Sequence, residues 1–301
     1  MTATLSHAAP RHRALATRAS APTEGRVTAS IEYASGLHCL EAGSGPLVVL
    51  VHSSMAGARQ WSGLMGELER DALVRAVNLF GYGSTPVWSQ SRAASLDDFA
   101  ALVAEAIPAS ASGVHLVGHS LGGAIAMHAA SHQLRGRVAS LTLIEPSLFF
   151  LLEQSGRLDA YCEIATVLEY AVGCVREGFC TAAAECFIDY WQGVGSWAAT
   201  PAPRREAFAR MAKLMPPEAT ALLDSDTDAE SWIATLPRDT LLISSRNTTR
   251  PSAAIIAALR ELRPDWQSES VAEGGHMAAA THPQLINPLI RRFLAPVRRA
   301  D

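Results

Sequence analysis

Gly118-His119-Ser120-Leu121-Gly122 stands between a strand-like run, residues 114–117, and a helical stretch, residues 123–133. This is a G-x-S-x-G pentapeptide in a strand–turn–helix context, where it marks a nucleophilic serine held on a sharp turn. Glycines are needed there because the strained turn brings backbone close to backbone, and a Cβ would obstruct it. A serine hydroxyl attacks an acyl carbonyl only if a neighbouring base takes its proton. Gly274-Gly275-His276-Met277 supplies that base in a glycine loop after the last strand-like run, 268–271, and before a terminal helix starting near Pro283. The other nine histidines fit less well. His7 and His12 lie in the leading stretch, His38 on an early strand and His115 in a buried one, while His128 and His132 form an i, i+4 pair that faces solvent or a neighbouring helix.

A tetrahedral intermediate needs donors for its oxyanion. The helix starting behind Ser120 points amides at the site, and the small-residue loop Val51-His52-Ser53-Ser54-Met55-Ala56-Gly57 ends another strand at the same sheet edge. The expected donors are the amides of Ser54 and Leu121. No strand-to-helix G-x-G-x-x-G and no phosphate-binding P-loop is present, so no cofactor is expected. Cys39, Cys162, Cys174, Cys180 and Cys186 lack zinc-ligand spacing, so no metal is expected; their reading is reduced, buried thiols.

These residues must be positioned by a framework, and its pattern is that of alternating strands and helices. Strand-like runs fall at 27–33, 37–42, 47–51, 73–77, 114–117, 138–144, 240–243 and 268–271, several of them aliphatic throughout, as strands buried on both faces are. Amphipathic stretches such as 96–107 lie between them. The expectation is an α/β fold with a mostly parallel sheet and helices on both faces. Between Ile144 and Thr240 the alternation stops, and some 90 residues of helix formers and aromatics imply a helical insertion.

The formal charge of −4 and pI near 6.2 argue against nucleic acid as a partner, and no apolar run is long enough to span a bilayer. The expected partners are a small-molecule acyl substrate and water, in a cytoplasmic compartment. Residues 1–26, arginine-rich and free of acids before Glu24, read as a disordered tail.

Through HSSMAG, NLFGYGSTP, GHSLGG and GGHM, in that order, the chain resembles the α/β-hydrolase family over residues 27–298. The resemblance implies an eight-stranded sheet, a core of residues 27–146 and 236–301, a helical cap over 147–235 after the sixth strand, and a Ser, acid, His triad. The acid departs from the common pattern, because Asn247 occupies the usual position after the seventh strand. Some members take the acid from the end of the sixth strand, which here places Glu145 in the role. Asn247 as an orienting amide, or Asp224, Asp226 or Asp228 from the cap, are the alternatives. A serine nucleophile excludes the chemistry of the family's aspartate enzymes at saturated carbon and directs attention to esters, thioesters and lactones. C–C bond hydrolysis, perhydrolysis and a ligand-binding role without catalysis are the competing readings. Trp61, Trp88 and Phe149 are the expected substrate contacts.

Overall fold

A computed structural model describes residues 29–223 and 228–295 of the 301; the expected tail, 1–26, and two of the alternative acids, Asp224 and Asp226, lie outside the described residues. One sheet contains β1 (Ala29–Glu32), β2 (His38–Ala42), β3 (Leu47–Val51), β4 (Leu73–Val77), β5 (Val114–His119), β6 (Val138–Ile144), β7 (Thr240–Ser245) and β8 (Gln267–Val271). Their order is β1-β2-β4-β3-β5-β6-β7-β8. β2 runs antiparallel to both neighbours and the strands from β4 to β8 are mutually parallel, so the expected eight-stranded, mostly parallel sheet is present.

Helices cover both faces. In chain order they are α1 (Ser62–Leu68), α2 (Leu96–Glu105), α3 (Leu121–Ser131), α4 (Phe149–Gln154), α5 (Leu158–Arg176), α6 (Cys180–Gln192), α7 (Ser196–Ala199), α8 (Ala202–Met211), α9 (Met215–Leu223), α10 (Ala229–Ile233), α11 (Arg250–Leu262), α12 (Ala278–Thr281) and α13 (Pro283–Leu294). The aliphatic runs are continuous because neighbouring residues feed different cores. Val49 and Val51 pack into the layer under α2, α3 and α11, whereas Val48 and Leu50 pack into the layer of α1 and α13. Each such side chain contributes about 1.5–3 kcal/mol on burial. α2 starts at a reciprocal cap in which Ser95 and Asp98 satisfy each other's backbone amides.

The stretch without strands between β6 and β7 holds α4 to α10. Among the described residues no helix is long and apolar enough to cross a membrane. The cysteines differ from expectation: all are free, but only Cys39 is buried, while Cys162 is exposed and the other three half-exposed. Their positions on the outer helices, not in the sheet, account for the difference.

Candidate active site

Three non-glycine residues among those described have positive φ: Met55 at 60°, Ser120 at 55° and Glu145 at 43°. Each follows or lies near a strand end at one edge of the sheet, after β3, β5 and β6. Left-handed backbone at such residues is held by its surroundings at a cost of order 1–3 kcal/mol each, and it concentrates at functional sites. Ser120 is held by its N–H, which donates to the Ile144 carbonyl at 3.0 Å; the Glu145 N–H donates to the Ile243 carbonyl at 3.0 Å. The turn closes because Gly118 and Gly122 lack side chains. A Cβ on Gly122 would meet the Val51 carbonyl oxygen at 2.2 Å, and one on Gly118 would meet the Gly122 oxygen at 2.3 Å.

His276 sits on a single 3₁₀ turn between β8 and α12, entered through Gly274 at φ 95°. Its ring spans the two strained residues. Nε2 lies 2.8 Å from Ser120 Oγ, and Nδ1–H donates to Glu145 Oε2 at 2.9 Å, with Ser252 Oγ a secondary acceptor at 3.1 Å. Glu145 is itself enclosed: Thr248 Oγ1–H donates to Oε2 at 2.5 Å and the Ser245 N–H to Oε1 at 2.7 Å. Burial opposes the charge of this carboxylate, but the bonds from His276, Thr248 and Ser245 outweigh burial and hold its pKa below the ordinary glutamate value.

Asn247 has a different contact. Its Oδ1 accepts from Ser245 Oγ–H at 2.6 Å and from the Gly275 N–H at 3.0 Å, so it braces the loop that carries His276 without touching the ring. Asp228 caps α10 at an exposed position and does not reach the site.

The loop after β3 arranges its amides. The Ser53 N–H donates to Gln60 Oε1 at 3.0 Å, the Met55 N–H to the Tyr82 hydroxyl at 2.7 Å, and the Ala56 N–H to the Ser53 carbonyl at 3.3 Å. The Ser54 amide has no partner among the described residues and lies beside the cavity that Ser120 lines. Leu121, fully buried, opens α3, where the first-turn amides have no intrahelical acceptor.

Behind Ser120 runs a chain of neutral side chains that sequence reading missed. His119 Nε2–H donates to the His276 carbonyl at 2.8 Å. That tautomer leaves Nδ1 to accept from Gln60 Nε2–H at 3.0 Å, and Gln60 Oε1 accepts from both the Ser53 amide and hydroxyl. Burial, reinforced by the proximity of His276, pushes the His119 pKa down to about 3, so the chain keeps its polarity at neutral pH.

A narrow cavity adjoins Ser120. Ser54, Ser120 and Ser147 form its polar side, and Phe149, Leu168, Phe187, Trp191, Met215 and Leu222 from α4, α5, α6 and α9 form most of the apolar side. Glu218 of α9 is the one carboxyl in the wall. Tyr82 donates to it at 2.8 Å; burial pushes its pKa up to about 7. Of the three expected substrate contacts, Phe149 lines this cavity and Trp61 and Trp88 do not. Trp61 is buried with α1 and α13, in the layer opposite the cavity, because its 3₁₀ turn rotates it inward. Trp88 packs edge-on against Phe80 beneath the Arg92 guanidinium, away from the cavity. Among the described residues no group of His, Cys, Asp and Glu has the arrangement of a metal site, and His128 stacks on His132 beside Trp232.

The model of the alpha/beta hydrolase family matches residues 48–289. The chain belongs to the alpha/beta hydrolase family. Among curated α/β-hydrolase relatives, it is 28% identical over 268 residues to a pimeloyl-[acyl-carrier protein] methyl ester esterase of Methylococcus capsulatus, covering 86% of this chain and 99% of that one. It is 27% identical over 265 residues to the protein of the same name from Aeromonas salmonicida, covering 84% and 96%. Among solved α/β-hydrolase structures, an esterase from Exiguobacterium antarcticum shares the fold with a TM-score of 0.70 at 17% identity, covering 88% of this chain and 98% of that one.

Proposed function

We propose that this α/β hydrolase is a serine-dependent carboxylic-ester hydrolase for small to medium apolar esters. The observation that carries the reading is the His276 ring, with one nitrogen 2.8 Å from the Ser120 hydroxyl and the other 2.9 Å from Glu145. His276 Nε2 takes the Ser120 proton as Oγ attacks the ester carbonyl. The carbonyl oxygen becomes an oxyanion held by the Ser54 and Leu121 amides, and Glu145 stabilises the imidazolium. Collapse expels the alcohol, which takes its proton from His276. Water, activated by the same nitrogen, then releases the acid and restores Ser120. The helices between β6 and β7 act as the cap that shapes the acyl site, with Phe149 in its wall. The curated relatives, both named as methyl ester esterases, support ester cleavage and a small alcohol as the leaving group.

The test is hydrolysis of p-nitrophenyl and methyl esters together with labelling by a fluorophosphonate. Ser120→Ala is expected to abolish both while leaving the thermal midpoint near that of wild type. Retained labelling in that variant would remove Ser120 as the nucleophile.

A further inference from the structure

Two residues beyond Glu145, a second hydroxyl touches the nucleophile. Ser147 Oγ lies 3.0 Å from Ser120 Oγ, and the Ser147 N–H donates to the Ser120 carbonyl at 3.1 Å. Ser147 is 1% exposed and lines the cavity, and Ser120 is the one hydrogen-bond partner of its hydroxyl among the described residues. Its segment is closely packed. Pro146 packs on Gly123 so closely that a Cβ there would meet Pro146 Cβ at 2.8 Å.

Hydrogen-bond polarity assigns the donor. His276 Nδ1–H faces Glu145, so Nε2 is the acceptor and the Ser120 proton points to it. Ser120 Oγ then has only lone pairs to offer Ser147, whose O–H must donate. We propose that Ser147 is a further catalytic residue, and that its hydroxyl stabilises Ser120 Oγ as the leaving group when the acyl-enzyme is hydrolysed. The inference rests on the Ser120 acyl-enzyme reading above.

In acylation the Ser147 bond has opposing effects. It eases loss of the Ser120 proton, but it occupies a lone pair and weakens attack. In deacylation only the favourable part remains. Water oxygen bonds to the acyl carbon and passes a proton to His276 Nε2. The carbon–Oγ bond then breaks, its electron pair stays on Oγ, and Oγ recovers a proton from His276. Ser147 keeps its own proton and donates a hydrogen bond to the departing oxygen throughout.

Turnover of p-nitrophenyl butyrate by Ser147→Ala, quenched and read by intact mass, tests this. The kcat is expected to fall about tenfold, the equivalent of one hydrogen bond to a developing charge, while fluorophosphonate labelling stays within about threefold. The fraction of protein carrying butyryl on Ser120 is expected to rise. An unchanged kcat, or a fall without added acyl-enzyme, overturns the proposal. Ser147→Cys, a weaker donor of similar size, is measured alongside and should fall between the two, giving the same comparison if the alanine variant does not fold. Failure of the wild type to label at Ser120 would instead overturn the ester-hydrolase reading itself; a labelled Ser120 with unchanged partitioning overturns Ser147 alone.

Discussion

Trp191 lies nearly flat on His276, with ring centroids 4.0 Å apart and planes inclined by 29°. The indole comes from α6, in the segment between β6 and β7, whereas the imidazole comes from the loop after β8. An aromatic face against a ring that becomes cationic during the reaction favours the cation, by up to about 2 kcal/mol in a desolvated site. Trp191→Leu is therefore expected to lower kcat about tenfold. Trp191→Phe should retain part of the activity, and steady-state kinetics on one p-nitrophenyl ester checks both. Equal losses in the two variants would show that the volume of the indole matters and its face does not.

The acid can be separated from its neighbour by charge. Glu145→Gln keeps the shape but removes the carboxylate facing His276, and kcat is expected to fall a hundredfold or more, roughly, by triad precedent. Asn247→Ala leaves that carboxylate in place and removes an acceptor from the Gly275 amide and the Ser245 hydroxyl, so its loss should be far smaller. Comparable losses in both would reject Glu145 as the charge that matters.

Glu218 gives a pH signature in stability. Burial raises its folded pKa to about 7 from an ordinary value of 4.5, so the folded state holds this proton more tightly than the unfolded chain. The stabilisation is complete below about pH 4.5, declines as pH rises, and is gone above about pH 7. Glu218→Gln has no such dependence. The melting temperature of the variant, minus that of wild type, should rise between pH 5 and pH 8 by about 3–5 °C, from a ceiling of about 3 kcal/mol. A pH-independent difference would mean that Glu218 stays ionised in the fold.

The chain from His276 through His119 and Gln60 to Ser53 ties the base loop to the loop presenting the Ser54 amide. Gln60→Leu and His119→Phe should each lower kcat with little change in KM. The double variant should be little worse than the poorer single, since either break parts the same chain. Additive losses would show two independent packing defects.

The placement of Ser120, His276 and Glu145 at one sheet edge is legible in the sequence because strand ends are marked by aliphatic runs, and each residue sits at the end of one or in the loop beyond. Phe149 followed from its place just after β6. Trp61 misled because nearness in sequence to the Ser54 loop says nothing about which face a short 3₁₀ turn presents, and here it presents the opposite core. Glu218 has no spacing to betray it, since it arrives by helix packing across the cavity. The His119–Gln60 pairing joins positions 59 apart through side chains alone. Ser147 was the nearest miss, because any hydroxyl two residues past the acid shares its strand end.

The left-handed turns at Met55, Ser120 and Glu145 have a bearing on the life of the chain before it is finished. Ser120 is braced against the last residue of β6, and Glu145 against β7, which enters the sequence about 100 residues later. His276 comes later still. A nascent or partly unfolded molecule therefore carries an ordinary, unreactive serine. The three side chains meet only once β5, β6, β7 and the loop after β8 are assembled at one sheet edge.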